Sequence, residues 1–251
     1  MILSSPVRGK QDAIILEMKK KRGALAADAG APEPRFSRAS VGRLSLYLRR
    51  LESLAEKDNE TVSSLELAKD IGVTDAQVRK DLTALGSLGQ PGIGYPTREL
   101  ISAIRRMLGL DRSWSVALVG VGNLARALLR FRGFHQRGFR FVALFDSDPE
   151  KTDQVIEGLT VYPTADIPAV VPSTGAELGL ITVPPEAAQA VADALVNAGI
   201  RGLLNFAPAV LHLPAHVSLV SVDLTVQLEQ LAFLVQLDRE GLTEPKTPIP
   251  T

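Results

Sequence analysis

Hydrophobic positions along the chain follow two rhythms. From about residue 35 to residue 110 they recur mostly at three- and four-residue intervals, whereas from about 115 onward short continuous apolar runs alternate with helically spaced ones. In RLSLYLRRLESL, Leu44, Tyr47, Leu48, Leu51 and Leu54 share one helix face, with Arg43, Arg49 and Arg50 mostly to the side. In the segment that follows, Ser63-x-x-Glu66 and Thr74-x-x-Gln77 are capping-box patterns, which predict short helices starting near Ser64 and Asp75. Ile71-Gly72-Val73 supplies a turn with two apolar anchors, so the pair reads as a helix-turn-helix. Val78, Leu82 and Leu85 form the buried stripe of its second helix. Gly86, Gly89, Gly92 and Gly94, with Pro91 among them and Tyr95 after, predict a tight hairpin, which makes a winged helix. A further helix follows from Thr97, with Leu100, Ile101, Ile104 and Leu108 apolar.

The second rhythm is that of a strand-helix alternation. VALVG and GFRFVALFD read as buried strands flanking a helix, and ELGLITVP, PPEAAQAVADALVNAG, GLLNFAP and HVSLVSVD continue the pattern. The fold class is therefore α/β: an N-terminal winged helix-turn-helix domain at 35–112, then a Rossmann-type doubly wound parallel sheet at 113–222. Residues 1–34, with the basic tract Lys19–Arg22 and the Ala/Gly/Pro-rich AADAGAPEP, read as a flexible basic arm, and 241–251 as a flexible tail. Between them lies 223–240, a helix whose apolar residues Leu224, Leu228, Leu231, Phe233, Leu234 and Leu237 cover more than one contact face. Such a helix asks for a partner, and a homodimer is the simplest one.

Charge sharpens the picture. The 28 Lys+Arg and 28 Asp+Glu cancel overall, but the residues up to Trp114 hold 19 against 14 and the remainder 9 against 14. The basic half is the one that carries the helix-turn-helix, so double-stranded DNA is its expected partner. No cysteine is present, which excludes disulfides and thiolate chemistry, and His135, His212 and His216 are too scattered for a metal cluster. No apolar run is long enough to span a bilayer and no secretory signal opens the chain, so the expected location is the cytoplasm.

Candidate chemistry follows from these placements. On the second helix, Gln77 and Arg79 have the chemistry to read base edges, and Arg79, Lys80 and Thr83 to hold phosphates. Thr74 at its start and Ser87, Gly89 and Gln90 in the wing join them as DNA contacts. In VGVGNLARAL, Gly120 allows the tight turn, Gly122 lets a pyrophosphate approach the backbone, and Ala125 lets the next helix pack closely. Val121, Asn123 and Leu124 complete that loop. Asp146 ends the second strand, 21 residues beyond Ala125, where a carboxylate accepts hydrogen bonds from an adenosine ribose. A carboxylate there repels a 2′-phosphate and no arginine follows in DSDPEK, so NADH and NAD+ are favoured over the phosphorylated pair. Thr182, Val183 and Pro184, and Asn205, Phe206, Ala207 and Pro208, end later strands and are expected to line the pocket, with a core place the other reading of Phe206. No acid-base residue beside a nicotinamide is evident after the last strand, so the chain is not read as an enzyme.

QVRKDL and GSLGQPGIGY, joined to VGVGNLARAL, FDSDPEK, LITVP, NFAP and SVDL, resemble the Rex family of redox-sensing transcriptional repressors over about residues 36–238. The resemblance implies a homodimer that binds pseudo-palindromic operators, releases them when NADH binds, and swaps its C-terminal helix between partners. It also implies that Arg79 and Lys80 contact DNA and that Arg49 and Asp223 exchange partners as the dimer closes. Phe131 stands where some members have a tyrosine that bonds to that aspartate, and Leu224 where some have a phenylalanine near the nicotinamide. Two other readings are a small NAD-dependent dehydrogenase with an accessory domain and a DNA-binding regulator whose Rossmann domain only dimerises.

Overall fold

A computed structural model describes residues 37–69, 71–86, 88–90 and 92–240. The expected arm and tail, and Ser87 in the wing, lie outside the described residues. The chain divides into two compact units, one ending at Ile104 and the other beginning at Arg105.

The first unit opens with α1 (Arg38–Ala55), capped by Ser37, whose hydroxyl accepts the Ser40 N–H. Its five periodic residues, Leu44, Tyr47, Leu48, Leu51 and Leu54, are all buried. Strand β1 (Thr61–Val62) leads to α2 (Ser64–Ala68), where the full capping box of Ser63 and Glu66 forms. Gly72, with φ of +74°, turns the chain into α3 (Asp75–Thr83). Thr74 caps α3 as expected, its hydroxyl accepting the Gln77 N–H, while the Gln77 side-chain amide is turned to donate to Asp81. The wing is closed by paired bonds between Gln90 and Gly94, and β2 (Tyr95–Pro96) returns antiparallel to β1. A Cβ on Gly94 would lie 2.5 Å from the Val62 carbonyl oxygen, so this hairpin needs glycine there. α4 (Thr97–Met107) buries Leu100 and Ile104 beneath it.

In the second unit, β3 (Trp114–Val119), α5 (Asn123–Arg130), α6 (Arg132–Gln136) and β4 (Phe139–Asp146) form the first strand-helix-strand unit. Beyond it come β5 (Val155–Ile156), β6 (Leu159–Pro163), α7 (Ile167–Thr174), β7 (Leu178–Ile181), α8 (Pro185–Asn197), β8 (Gly202–Asn205), β9 (Ser218–Ser221) and α9 (Leu224–Arg239). The seven-stranded sheet has the order β5-β6-β4-β3-β7-β8-β9, parallel throughout except for β5 against β6. Both faces of β3 are buried: Ala117 and Val119 meet α7 and α8, and Val116 and Leu118 meet Ala125 of α5. That is why the strand reads as a continuous apolar run. The chain winds outward from β3 to β6 and then crosses back to β7, so the carboxyl ends of β3 and β7 flank the point where winding reverses.

Two regions of this unit stay open. On the face shared with α5, an apolar groove of about 330 Å³ runs over Val116, Leu178, Leu180, Leu204, Val220 and Phe141. α9 buries no residue of its own, and Leu224, Leu228, Leu231, Phe233, Leu234 and Val235 are 45–66% exposed.

Candidate functional site

The pocket at the reversal point is built by backbone geometry. Gly120 has φ of +94°, and a Cβ on it would lie 2.7 Å from both the Thr182 carbonyl oxygen and Val183 Cγ1. Thr182 fastens the same turn from the neighbouring strand by donating its hydroxyl to the carbonyl oxygens of Val119 (3.0 Å) and Gly120 (2.7 Å). Gly122 starts α5 without any side-chain cap, and a Cβ there would meet nothing within 4 Å. The first-turn N–H groups of α5 thus face open space, with the positive end of the helix dipole behind them. Val121 and Ala125 are buried under the loop, while Asn123 and Leu124 are exposed on the first turn.

Asp146 is 6% exposed and ends β4 beside this loop. Its Oδ2 accepts the Val121 N–H at 2.7 Å and its Oδ1 the Asp148 N–H at 2.9 Å. Lys151 Nζ lies 3.3 Å from Oδ2. Burial alone would raise this carboxyl, but the two N–H donors and the ammonium outweigh it and hold the group ionised, below the usual carboxylate range. Gly120, Gly122, Asp146, Lys151, Thr182, Val183 and Pro184 line a cavity of about 840 Å³, large enough for a dinucleotide. The open space at Gly122, the uncapped helix and the ionised carboxylate at the strand end all fit one.

Asn205, Phe206, Ala207 and Pro208 do not line that cavity. Asn205 is fully buried and spent on its own loop: its Oδ1 accepts the Ala207 N–H, and its Nδ2 donates to the carbonyls of Ala207 and Ala209. Phe206 packs on the core of Val116 and Leu118, Ala207 lies in the opposite core, and Pro208 is exposed. Lys151, by contrast, escaped the sequence reading although it closes the same DSDPEK segment.

In the first unit, α3 and the wing share a cleft of about 420 Å³ lined by Ser64, Arg79, Gly89, Gln90 and Tyr95. Arg79 is exposed, and its Nη1 donates to Asp75 Oδ2 at 2.5 Å and to Ser64 Oγ at 3.1 Å. Asp75 is held ionised chiefly by that hydrogen bond. Thr74 and Lys80 are exposed, as is Thr83, whose hydroxyl is turned back to the Arg79 carbonyl.

Gln77 points inward, and the reason was hidden in the sequence. Asp81, only 5% exposed, accepts two hydrogen bonds from the Arg43 guanidinium, Nε to Oδ2 at 2.6 Å and Nη2 to Oδ1 at 2.8 Å. Tyr47 Oη adds one to Oδ2 at 2.9 Å and Gln77 Nε2 one to Oδ1 at 2.9 Å. Burial works against the ionised carboxyl, yet these donors together hold its pKa low. Burial, reinforced by the nearby carboxylate, pushes the Tyr47 hydroxyl up to about 12. The network bolts α3 to α1 and leaves Arg79 and Lys80 on the outer face.

Of the remaining sequence candidates, Arg49 is exposed on α1. Asp223 caps α9 through Oδ1, which accepts the N–H groups of Thr225 and Val226, and Leu224 beside it is exposed. Phe131 is 61% exposed, with its ring edge-on to Phe134 at 5.3 Å. Among the described residues no group of three or more His, Asp or Glu is placed to hold a metal, and no helix is long and apolar enough to cross a membrane.

Comparison with known proteins bears on both units. A family model described as a CoA binding domain matches residues 111–209, and one described as a putative DNA-binding protein N-terminus matches 35–83. The redox-sensing transcriptional repressor Rex of Streptomyces griseus subsp. griseus is 47% identical over 204 residues, 81% of this chain and 79% of that protein. RSP, a Rex-family repressor solved in complex with β-NAD+ and operator DNA, superposes with a TM-score of 0.78 at 33% identity, over 81% of this chain and 94% of that one. RSP in complex with β-NADH gives a TM-score of 0.74 at 31% identity, over 81% and 96%.

Proposed function

The chain belongs to the Rex family of redox-sensing transcriptional repressors, and from that premise we propose how its two units divide the work. The protein is a redox-sensing repressor that binds operator DNA as a homodimer and releases it when NADH binds. The observation that carries this reading is the open, uncapped start of α5 beside the ionised Asp146, on the same chain as the α3-wing cleft.

In the second unit, the Gly120–Gly122 loop and the first turn of α5 hold the pyrophosphate, and Asp146 accepts hydrogen bonds from the adenosine ribose. The bound dinucleotide supplies the signal as the charge on its nicotinamide, positive when oxidised and neutral when reduced, so the reduced form enters apolar surroundings at lower desolvation cost. In the first unit, Arg79 and Lys80 meet the DNA from α3, with Gly89 and Gln90 reaching it from the wing. Thr83, exposed on the same helix, adds a phosphate contact.

The exposed apolar α9 supports a dimer in which each copy lends this helix to its partner. The groove over Val116, Leu178, Leu180 and Val220 is a matching seat for it. Ligand binding favours one dimer arrangement only by its difference in affinity for the two. Because half-sites lie roughly 34–36 Å apart, a change in the spacing of the two α3 helices removes specific contacts in both at once.

We read the protein as a regulator and not a dehydrogenase, acting in the compartment that holds its operator. The test is fluorescence anisotropy of a labelled palindromic operator of the family type, titrated with protein and then with NADH, NAD+ or NADPH. Release by NADH alone is expected. Binding that NADH leaves unchanged would refute the switch, and steady turnover of a hydroxy-acid or alcohol with NAD+ would refute the non-enzymatic reading.

A further inference from the structure

Lys151 was passed over in the sequence, and its surroundings are unusual. Its Nζ lies 3.3 Å and 3.5 Å from the two oxygens of Asp146 and 3.5 Å from Asp148 Oδ2, and its side chain opens on the dinucleotide cavity. Two carboxylates therefore share one ammonium. The lysine is carried there by a tight turn in which the Lys151 and Thr152 N–H groups donate to the Asp148 carbonyl and Asp148 Oδ1 accepts the Glu150 N–H.

Asp146 does not need this cation to keep its place, because both of its oxygens already accept backbone N–H groups, from Val121 and Asp148. The ammonium, a point charge on a flexible stem, is free to follow whatever anion outcompetes those carboxylates. The two carboxylates keep it protonated against the pull of burial.

A ribose hydroxyl suits this corner as it stands, since it can donate to Asp146 and accept from Lys151. A 2′-phosphate does not: with its second ionisation near pH 6 it is mostly dianionic at neutral pH, and here it meets two carboxylates against one ammonium. Neutralising Asp146 alone reverses that balance. One carboxylate and one ammonium remain, and the ammonium has lost its nearer partner.

We propose that Lys151 is a ready-made 2′-phosphate anchor held out of use by Asp146 and Asp148, so that the exclusion of NADPH rests on the single charge of Asp146. The inference depends on the reading that this cavity holds the dinucleotide with its adenosine ribose at Asp146.

Titration calorimetry of the full chain with NADH and NADPH tests it in four proteins: the natural chain, Asp146→Asn, Lys151→Gln and the double variant. The natural chain is expected to favour NADH by about 100-fold or more, as like-charge juxtaposition costs several kcal/mol. In Asp146→Asn the gap narrows to about tenfold or less, and the gained NADPH affinity weakens as salt screens it. The double variant loses that gain. The asparagine sets an NH2 group against the Asp148 N–H, so Lys151→Gln, which leaves the loop bonds of Asp146 intact, provides an independent arm: it should widen the NADPH gap by roughly tenfold.

The inference is overturned if the double variant binds NADPH as well as Asp146→Asn does, or if Lys151→Gln weakens both dinucleotides equally. If Asp146→Asn binds neither dinucleotide, the Lys151→Gln arm decides alone. A natural chain that binds neither removes the cofactor reading and the inference with it, whereas NADH binding with those ratios unmet removes the inference only.

Discussion

Asp81→Asn should loosen α3 without touching the pocket beside Asp146. The substitution keeps shape and volume but removes the charge that four donors share: two from Arg43, one from Tyr47 and one from Gln77. An amide offers one acceptor oxygen and turns an NH2 group toward donors, so at least one of those groups loses its partner. Asp81 is 5% exposed, and removing one member of a buried ion pair costs about 3–5 kcal/mol. With two compact units in the chain, a global melting curve mixes both and is a poor readout of this one contact.

Hydrogen exchange of amides in α1 and α3 reports the opening directly. The cost should appear as a loss of protection between about 10² and a few times 10³. Operator affinity should fall, while NADH affinity stays within error. The pH dependence carries a sign of its own. Asp81 is depressed in the folded chain, so its contribution is present above the unfolded pKa of about 3.9 and is lost as pH falls through the lower folded value. The natural chain and the variant should therefore converge in acid. On the basic side the Tyr47 bond persists below pH 10 and is lost as pH rises through about 12. Unchanged α3 protection in Asp81→Asn, or a difference that does not narrow as the solution is acidified, would sink the argument that this network bolts α3 in place.

Gly120→Ala should abolish NADH binding and destabilise the second unit by more than about 1 kcal/mol, since the new methyl meets the Thr182 carbonyl at a positive φ; NADH fluorescence and thermal unfolding check it. Arg79→Ala should weaken operator binding by about 1–3 kcal/mol with NADH affinity intact, measured by anisotropy and calorimetry side by side. Asp75→Asn releases Arg79 from its acid partner and should tighten DNA binding non-specifically, which competition with unrelated duplex DNA would reveal. Leu228→Glu with Leu231→Glu places charge on exposed apolar positions of α9 and should shift sedimentation from dimer to monomer. Persistence of the dimer would place the interface elsewhere.

Features that depend on neighbours in the chain were legible in the sequence. Helix starts at Ser64 and Asp75 follow from hydroxyls three residues before their N–H partners, and the glycine turn before α5 follows from steric need. The place of Asp146 at the end of β4 was legible from the apolar run that precedes it. What escaped was tertiary. Asp81 sits between Lys80 and Leu82 like any surface acid, and only the packing of α1, 38 residues away, brings Arg43 to it. α7 holds Pro168 and Pro172, which argue against a helix even though the first falls in its opening turn. β5, at two residues, was too short to register, and β6 follows it after only Glu157 and Gly158, both at positive φ, so the hairpin left no separate signal. Asn205 looked like a ligand because polar residues at strand ends often are, but its loop consumed it.

The exposed α9 makes the amount of protein in the cell part of the sensor. An exposed 16-residue helix gains little from its own chain, so in the proposed dimer this segment draws its stability from the second copy. Whatever favours the paired state and whatever the paired state favours are then linked, and the linkage runs both ways. Because the operator-binding form is itself the pair, a cell that makes more of the chain keeps more of it on its operators and raises the NADH level at which they are released. Expression level sets the threshold of the response, and a gene copy lost or duplicated would retune it with no change in the pocket.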